Sequence, residues 1–149
     1  MNTNISEAAI KLLRYRPYSK CELEQKLLNQ GYKQAAVNQA IEYAIERGYL
    51  NDTALCDMLL TKYAEVNKYS LKEVYIRLKR RGLSTELIRE KLADWDEMLE
   101  YQAAMNLAAK VLARDSSRDM RKIIRHLSGK GFKATTVTKV LERLRDMSP

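Results

Sequence analysis

Proline occurs twice and glycine five times among 149 residues, so the chain lacks the breakers that a loop-rich or β-rich fold spends at its turns. Two cysteines, Cys21 and Cys56, are too few for a disulfide framework, and neither stands in metal-like spacing with the single histidine, His126. Both are expected to be reduced and structural. No stretch approaches the roughly 18 uninterrupted apolar residues of a membrane span, and no basic segment followed by an apolar run opens the chain. A cytoplasmic location without membrane contact is expected by elimination. Chemistry is equally sparse: no Gly-rich phosphate loop, metal spacing or carboxylate pair beside the histidine occurs, which points away from an enzyme and calls for no cofactor.

Apolar and charged residues supply what is there. A hydrophobic share of 46% over this length is enough to bury a core, and a charged share of 31% exceeds the usual quarter, favouring solvated helices. Lys and Arg outnumber Asp and Glu by 27 to 19, for a net charge of +8. A balance of that sign favours contact with polyanions or acidic proteins, although simple solubility explains it as readily. The excess is concentrated in the last third, where residues 96–149 carry 11 basic and 7 acidic groups.

Organisation emerges when Gly31, Gly82 and Gly131 are superposed, because one pattern then surrounds all three. Eight residues earlier stand Leu23, Val74 and Ile123, and four earlier stand Leu27, Leu78 and Leu127, one helical face in each copy. After each glycine come Tyr32, Leu83 or Phe132, then Val37, Ile88 or Val137, then Ile41, Leu92 or Leu141. Ser19 with Glu22 and Ser70 with Glu73 read as capping boxes twelve residues before the first two glycines, whereas Asp119 takes the serine's place in the third copy.

Each copy therefore predicts a helix ending at a glycine of positive φ, a short turn, and a second helix. A leading helix precedes each pair, over roughly residues 5 to 15, 52 to 66 and 97 to 113. The β-branched run Thr135 to Thr138 lies where the repeat demands a helix, and burial of Val137, Val140, Leu141 and Leu144 should outweigh a propensity deficit of a few tenths of a kcal/mol. The expected fold is all-α: three tandem three-helix repeats, over 1–50, 51–95 and 96–149, forming an elongated, curved, solenoid-like body whose units support one another.

Two basic surfaces stand out. Arg77, Lys79, Arg80 and Arg81, with Lys72 earlier on the same helix, crowd the middle helix of the second repeat. A cluster at a helix C-terminus is also what the helix dipole favours, by about 0.3 to 1 kcal/mol. Arg118, Arg121, Lys122 and Arg125 recur at spacings of three and four along the equivalent helix of the third repeat, with Lys130 and Lys133 beyond it. A stripe along a whole helix is not required by the dipole, so phosphate or acidic-partner contact is the competing explanation. Tyr32 and Tyr49 are expected in core or turn positions, Tyr15, Tyr18 and Tyr69 flank helix starts where bases could stack, and Trp95 and His126 are expected as a packing residue and a polar surface position.

The first repeat, Ser19, Glu22, Leu23, Lys26 and Leu27, then Gly31-Tyr32, then Gly48-Tyr49-Leu50-Asn51-Asp52, resembles the RecX family, and Glu73-Val74, Arg77-Leu78, Arg81-Gly82-Leu83 and Ile88 extend the likeness into the second. The resemblance spans roughly residues 8 to 145. It implies a monomeric regulator that binds the RecA recombinase filament on single-stranded DNA and inhibits its ATPase, strand-exchange and coprotease activities, touching DNA weakly or through the filament. Two other readings stay open, a helix-turn-helix DNA binder and a protein scaffold acting without RecA. Against the former, the second helices open on Gln34-Ala35, Thr85-Glu86 and Ala134-Thr135, a poor set of base readers.

Overall fold

Local signals place every helix. The computed structural model describes residues 4–114 and 119–147, and among them it holds nine α-helices and no strand. They are α1 (Ile5–Tyr15), α2 (Lys20–Asn29), α3 (Gln34–Glu46), α4 (Asp52–Val66), α5 (Leu71–Arg80), α6 (Thr85–Leu92), α7 (Glu97–Arg114), α8 (Met120–Gly129) and α9 (Ala134–Asp146). The all-α expectation is met, and the leading helices fall where periodicity put them. The Thr135 to Thr138 run is helical, with Val137 and Val140 buried and Thr138 Oγ1 donating to the Ala134 carbonyl at 2.9 Å. Burial decided it, as the few tenths of propensity required.

Gly31, Gly82 and Gly131 have φ of 96°, 80° and 92°. This left-handed backbone ends α2, α5 and α8 with an amide returning to the helix: Tyr32 N donates to Leu27 O, Leu83 N to Leu78 O and Phe132 N to Leu127 O. The residues four and eight before each glycine, Leu23, Leu27, Val74, Leu78, Ile123 and Leu127, are all fully buried.

Packing divides the chain into two compact units, one of Met1–Leu59 with Leu78–Arg89, the other of Leu60–Arg77 with Glu90–Pro149. Helices α4, α5 and α6 each give residues to both. In the first unit α1, α2 and α3 pack together. Their core joins Ala9, Tyr18, Leu23, Leu27, Val37, Ala40, Ile41, Ala44 and Leu50. Ser19 caps α2: its hydroxyl accepts from Glu22 N at 3.1 Å while Glu22 Oε1 accepts from Ser19 N at 2.9 Å, the complete box. Ser19 is also fully buried, because the turn at Gly82 closes over it. A methyl group on Gly82 would lie 2.8 Å from Cys21 Cβ and 3.0 Å from Ser19 Oγ.

The same joint recurs in the second unit. Ser70 Oγ accepts from Glu73 N at 3.1 Å and donates to the Lys130 carbonyl at 2.8 Å, while a methyl on Gly131 would stand 3.1 Å from that oxygen. Glu100, on α7 and only 4% exposed, accepts from Leu71 N and Thr136 Oγ1, both at 3.3 Å. Its buried carboxyl group thus sits at the N-terminus of α5 and satisfies a free backbone N–H there. Helices α7, α8 and α9 close over Ala103, Ala104, Leu107, Ala108, Ile123, Leu127, Phe132 and Val140.

Candidate functional site

The basic residues of α5 and its turn divide by role. Arg81 is a structural residue: its Nε donates to Glu22 Oε2 at 3.0 Å, and its Nη2 donates to Glu22 Oε1 at 3.3 Å and to the Pro17 carbonyl at 3.0 Å. Arg16 adds a second cation 3.8 Å from Glu22. Burial by itself would raise the Glu22 carboxyl, but the Arg81 hydrogen bond, the Ser19 amide and the two guanidinium charges outweigh it and hold it below its ordinary value. Lys79 Nζ donates to Thr85 Oγ1 at 3.1 Å, Arg80 is exposed, and Lys72, also exposed, has its stem beside Gly131.

On α8, Arg121, Lys122 and Arg125 are exposed, and Arg118 lies outside the described residues. Asp119 replaces the capping serine and still caps, its Oδ1 accepting from Arg121 N at 3.0 Å and from Arg121 Nε at 3.3 Å. Those bonds, with the nearby positive charges, hold the Asp119 carboxyl below its ordinary value. Arg121 and Lys122 occupy the first turn of α8, where the helix dipole opposes cations. The dipole therefore gives no reason for them, and what holds Arg121 locally is its pairing with the cap Asp119.

Arg77 and Lys130 come together instead in a groove of the second unit with a volume of about 370 Å³. Asn67 precedes one wall, that of Lys68, Tyr69 and Ser70. It holds φ at 51°, a left-handed conformation that asparagine tolerates, and its carbonyl accepts from Asn106 Nδ2 at 3.0 Å, turning Lys68 and Tyr69 into the groove. The Tyr69 ring meets Tyr63 edge-on at 5.5 Å and carries the Arg77 guanidinium 4.1 Å above its centroid. Arg77 Nε also donates to Glu73 Oε1 at 3.1 Å. Helix α7 builds the other wall, since Leu107, Lys110, Val111 and Arg114 share one of its faces. His126 and Lys130 complete the lining from α8 and its cap.

Five Lys or Arg side chains and one imidazole thus face a single carboxylate, that of Glu73. Among the described residues no carboxylate is paired with Lys110, Arg114 or Lys130. Such a lining offers donors and positive charge and suits an anionic ligand. No group of three or more His, Cys, Asp or Glu side chains suited to a metal occurs among the described residues. No helix there is long and apolar enough to cross a membrane.

The family model described as RecX, first three-helix domain, matches residues 7–43. Regulatory protein RecX of Chlorobium limicola is 26% identical over 142 residues, covering 95% of this chain and 89% of its own length. That of Pelodictyon phaeoclathratiforme is 28% identical over 137 residues, covering 91% and 86%. The crystal structure of RecX from Lactobacillus salivarius superposes with a TM-score of 0.85 at 21% identity, covering 95% of both chains. Over nearly its whole length the chain is similar to proteins of the RecX family. These relatives bear the name of regulatory proteins.

In this chain the sequence singled out Arg77 and Lys130 but not Lys68, Lys110 or Arg114, and His126 was expected as a polar surface position. His126 is half-buried and lines the groove. The spacing of four between Lys110 and Arg114 was the available signal. Tyr18 is buried in the core, which removes it from the candidate stackers, while its ring carries Arg16 at 3.8 Å. Tyr32 is half-buried against the first core, and Tyr49 is a turn residue exposed to solvent. Trp95 is half-buried, its Nε1 sealed from solvent without a hydrogen-bond partner among the described residues.

Proposed function

We propose that this chain binds the RecA filament on single-stranded DNA and restrains its ATP hydrolysis, strand exchange and coprotease activity, acting as a monomer in the cytoplasm and catalysing no reaction itself. Relatives named regulatory protein RecX align along nearly the whole chain, and the basic groove supplies a surface that a polyanionic assembly would engage. The groove carries this reading. Repeats over 1–50, 51–95 and 96–149 would serve as its three modules, with Lys72, Arg77, Lys79, Arg80, Arg121, Lys122, Arg125, Lys130 and Lys133 as candidate contacts.

The decisive measurement is the DNA-stimulated ATPase of RecA with this protein added below stoichiometry. Suppression is the expected result. A rate that falls only when the protein is abundant enough to cover the DNA would replace this function with DNA competition. Titrating single-stranded DNA with and without RecA separates the readings further, because a filament regulator binds tightly only when the filament is present.

A further inference from the structure

We infer that the groove of the second unit is a seat for the phosphodiester backbone of a single strand, and that Glu73 is a built-in competitor that holds its affinity down. The inference deepens the proposed function by assigning a ligand chemistry to one site, but it is tested without any recombinase.

The polar lining consists almost wholly of donors: the ammonium groups of Lys68, Lys110 and Lys130, the guanidinium groups of Arg77 and Arg114, and the His126 ring. A phosphodiester presents only acceptors and a charge that does not titrate near neutrality. Leu107, Val111 and Tyr69 add an apolar side beside those charges, which a sugar or base can cover and an extended acidic peptide leaves unused. A volume of about 370 Å³ lies at the small end of ligand clefts, room for a short stretch of backbone.

Glu73 is the one feature of the wrong sign. Its Oε1 accepts from Arg77 Nε at 3.1 Å, the kind of bond a phosphate oxygen would make there. The Arg77 guanidinium is also held over the Tyr69 ring by a cation–π contact. Arg77 therefore stays oriented if Glu73 lets go, and exchange of a carboxylate oxygen for a phosphate oxygen needs no movement of the backbone. A carboxylate in this position sets a threshold: weak sites on free DNA are disfavoured, and phosphates presented at high local concentration displace it.

The test is fluorescence anisotropy of a labelled thymidine oligonucleotide with the full-length protein, from about 50 to 200 mM salt. K110Q/R114Q removes two exposed cations of α7 and is expected to weaken binding at least about tenfold, making the salt slope shallower by about 1.4 at roughly 0.7 per single-strand phosphate. E73Q is expected to tighten binding about threefold or more and to steepen that slope. Far-UV circular dichroism confirms that both variants retain the helical fold. Unchanged affinity and slope in K110Q/R114Q would overturn the site, and equal or weaker binding by E73Q would overturn the role of Glu73. Displacement of the oligonucleotide by a glutamate decapeptide at equal concentration would reassign the groove to acidic protein. Loss of RecA inhibition with normal oligonucleotide binding would leave this inference standing and strike the proposed function alone.

Discussion

Ser70 Oγ donates a 2.8 Å hydrogen bond to the carbonyl of Lys130, sixty residues further along the chain, while accepting from Glu73 N. One buried hydroxyl thus caps α5 and satisfies the last turn of α8. Ser70→Ala removes both bonds and leaves the Lys130 carbonyl without its partner, at an expected cost of about 2 to 3 kcal/mol. Asp119→Ala, which removes a cap not engaged in this way, should cost about 1 kcal/mol or less. Urea denaturation of the two variants measures the difference; equal losses would show that Ser70 acts only as a cap.

The turn glycines should differ in sensitivity although their backbones are alike. A methyl on Gly31 meets nothing within 4 Å, so Gly31→Ala bears only the left-handed strain of about 1 to 2 kcal/mol. Gly82→Ala adds a 2.8 Å approach to Cys21 Cβ and should lose a further 1 to 3 kcal/mol or so. Denaturation midpoints ranked the other way would refute the joint between Ser19 and Gly82.

Acid should loosen the first unit through Glu22. Its folded value is lowered from 4.5. The stability it contributes is therefore complete above that pH and is lost as the pH falls below it through the folded value. Glu22→Gln should consequently cost stability at pH 7 and progressively less as the pH falls below 4.5, with Arg81→Met showing the same pattern. A penalty that is constant with pH would mean that shape, and not charge, makes this contact.

Charge reversal on α8 probes the stripe. Arg121→Glu with Arg125→Glu should weaken inhibition of RecA ATPase several-fold and reduce its salt dependence. Thermal stability should fall by about 1 kcal/mol or less, because both side chains are exposed and the lost surface pair of Arg121 with Asp119 is partly offset by an acid in the first turn of α8, which the helix dipole favours. Full inhibition by the doubly reversed variant would remove these residues from the binding surface.

Helices, their starts and their stops were legible because they depend on neighbours a few residues apart. Leu23, Leu27, Val74, Leu78, Ile123 and Leu127 announced their faces by spacing, and the caps at Ser19 and Ser70 lie within a turn of what they cap; Asp119, a departure from the serine pattern, proved to cap α8 only in the structure. The roles of the cations were not legible, since Arg81 and Arg80 are adjacent in sequence and alike in chemistry, yet one is fastened to Glu22 and the other is exposed. The same holds for Tyr18, whose burial no local pattern required.

By itself the amino-acid order determined an all-α chain with left-handed glycines at three equivalent turns, because periodicity, capping and positive φ are short-range effects. Tertiary structure alone decided that Ser70 would meet Lys130, that Arg81 would serve Glu22, and that Lys68, Arg77, Lys110, Arg114, His126 and Lys130 would share one groove. These contacts join residues tens of positions apart, and their partners are chosen by how buried faces pack.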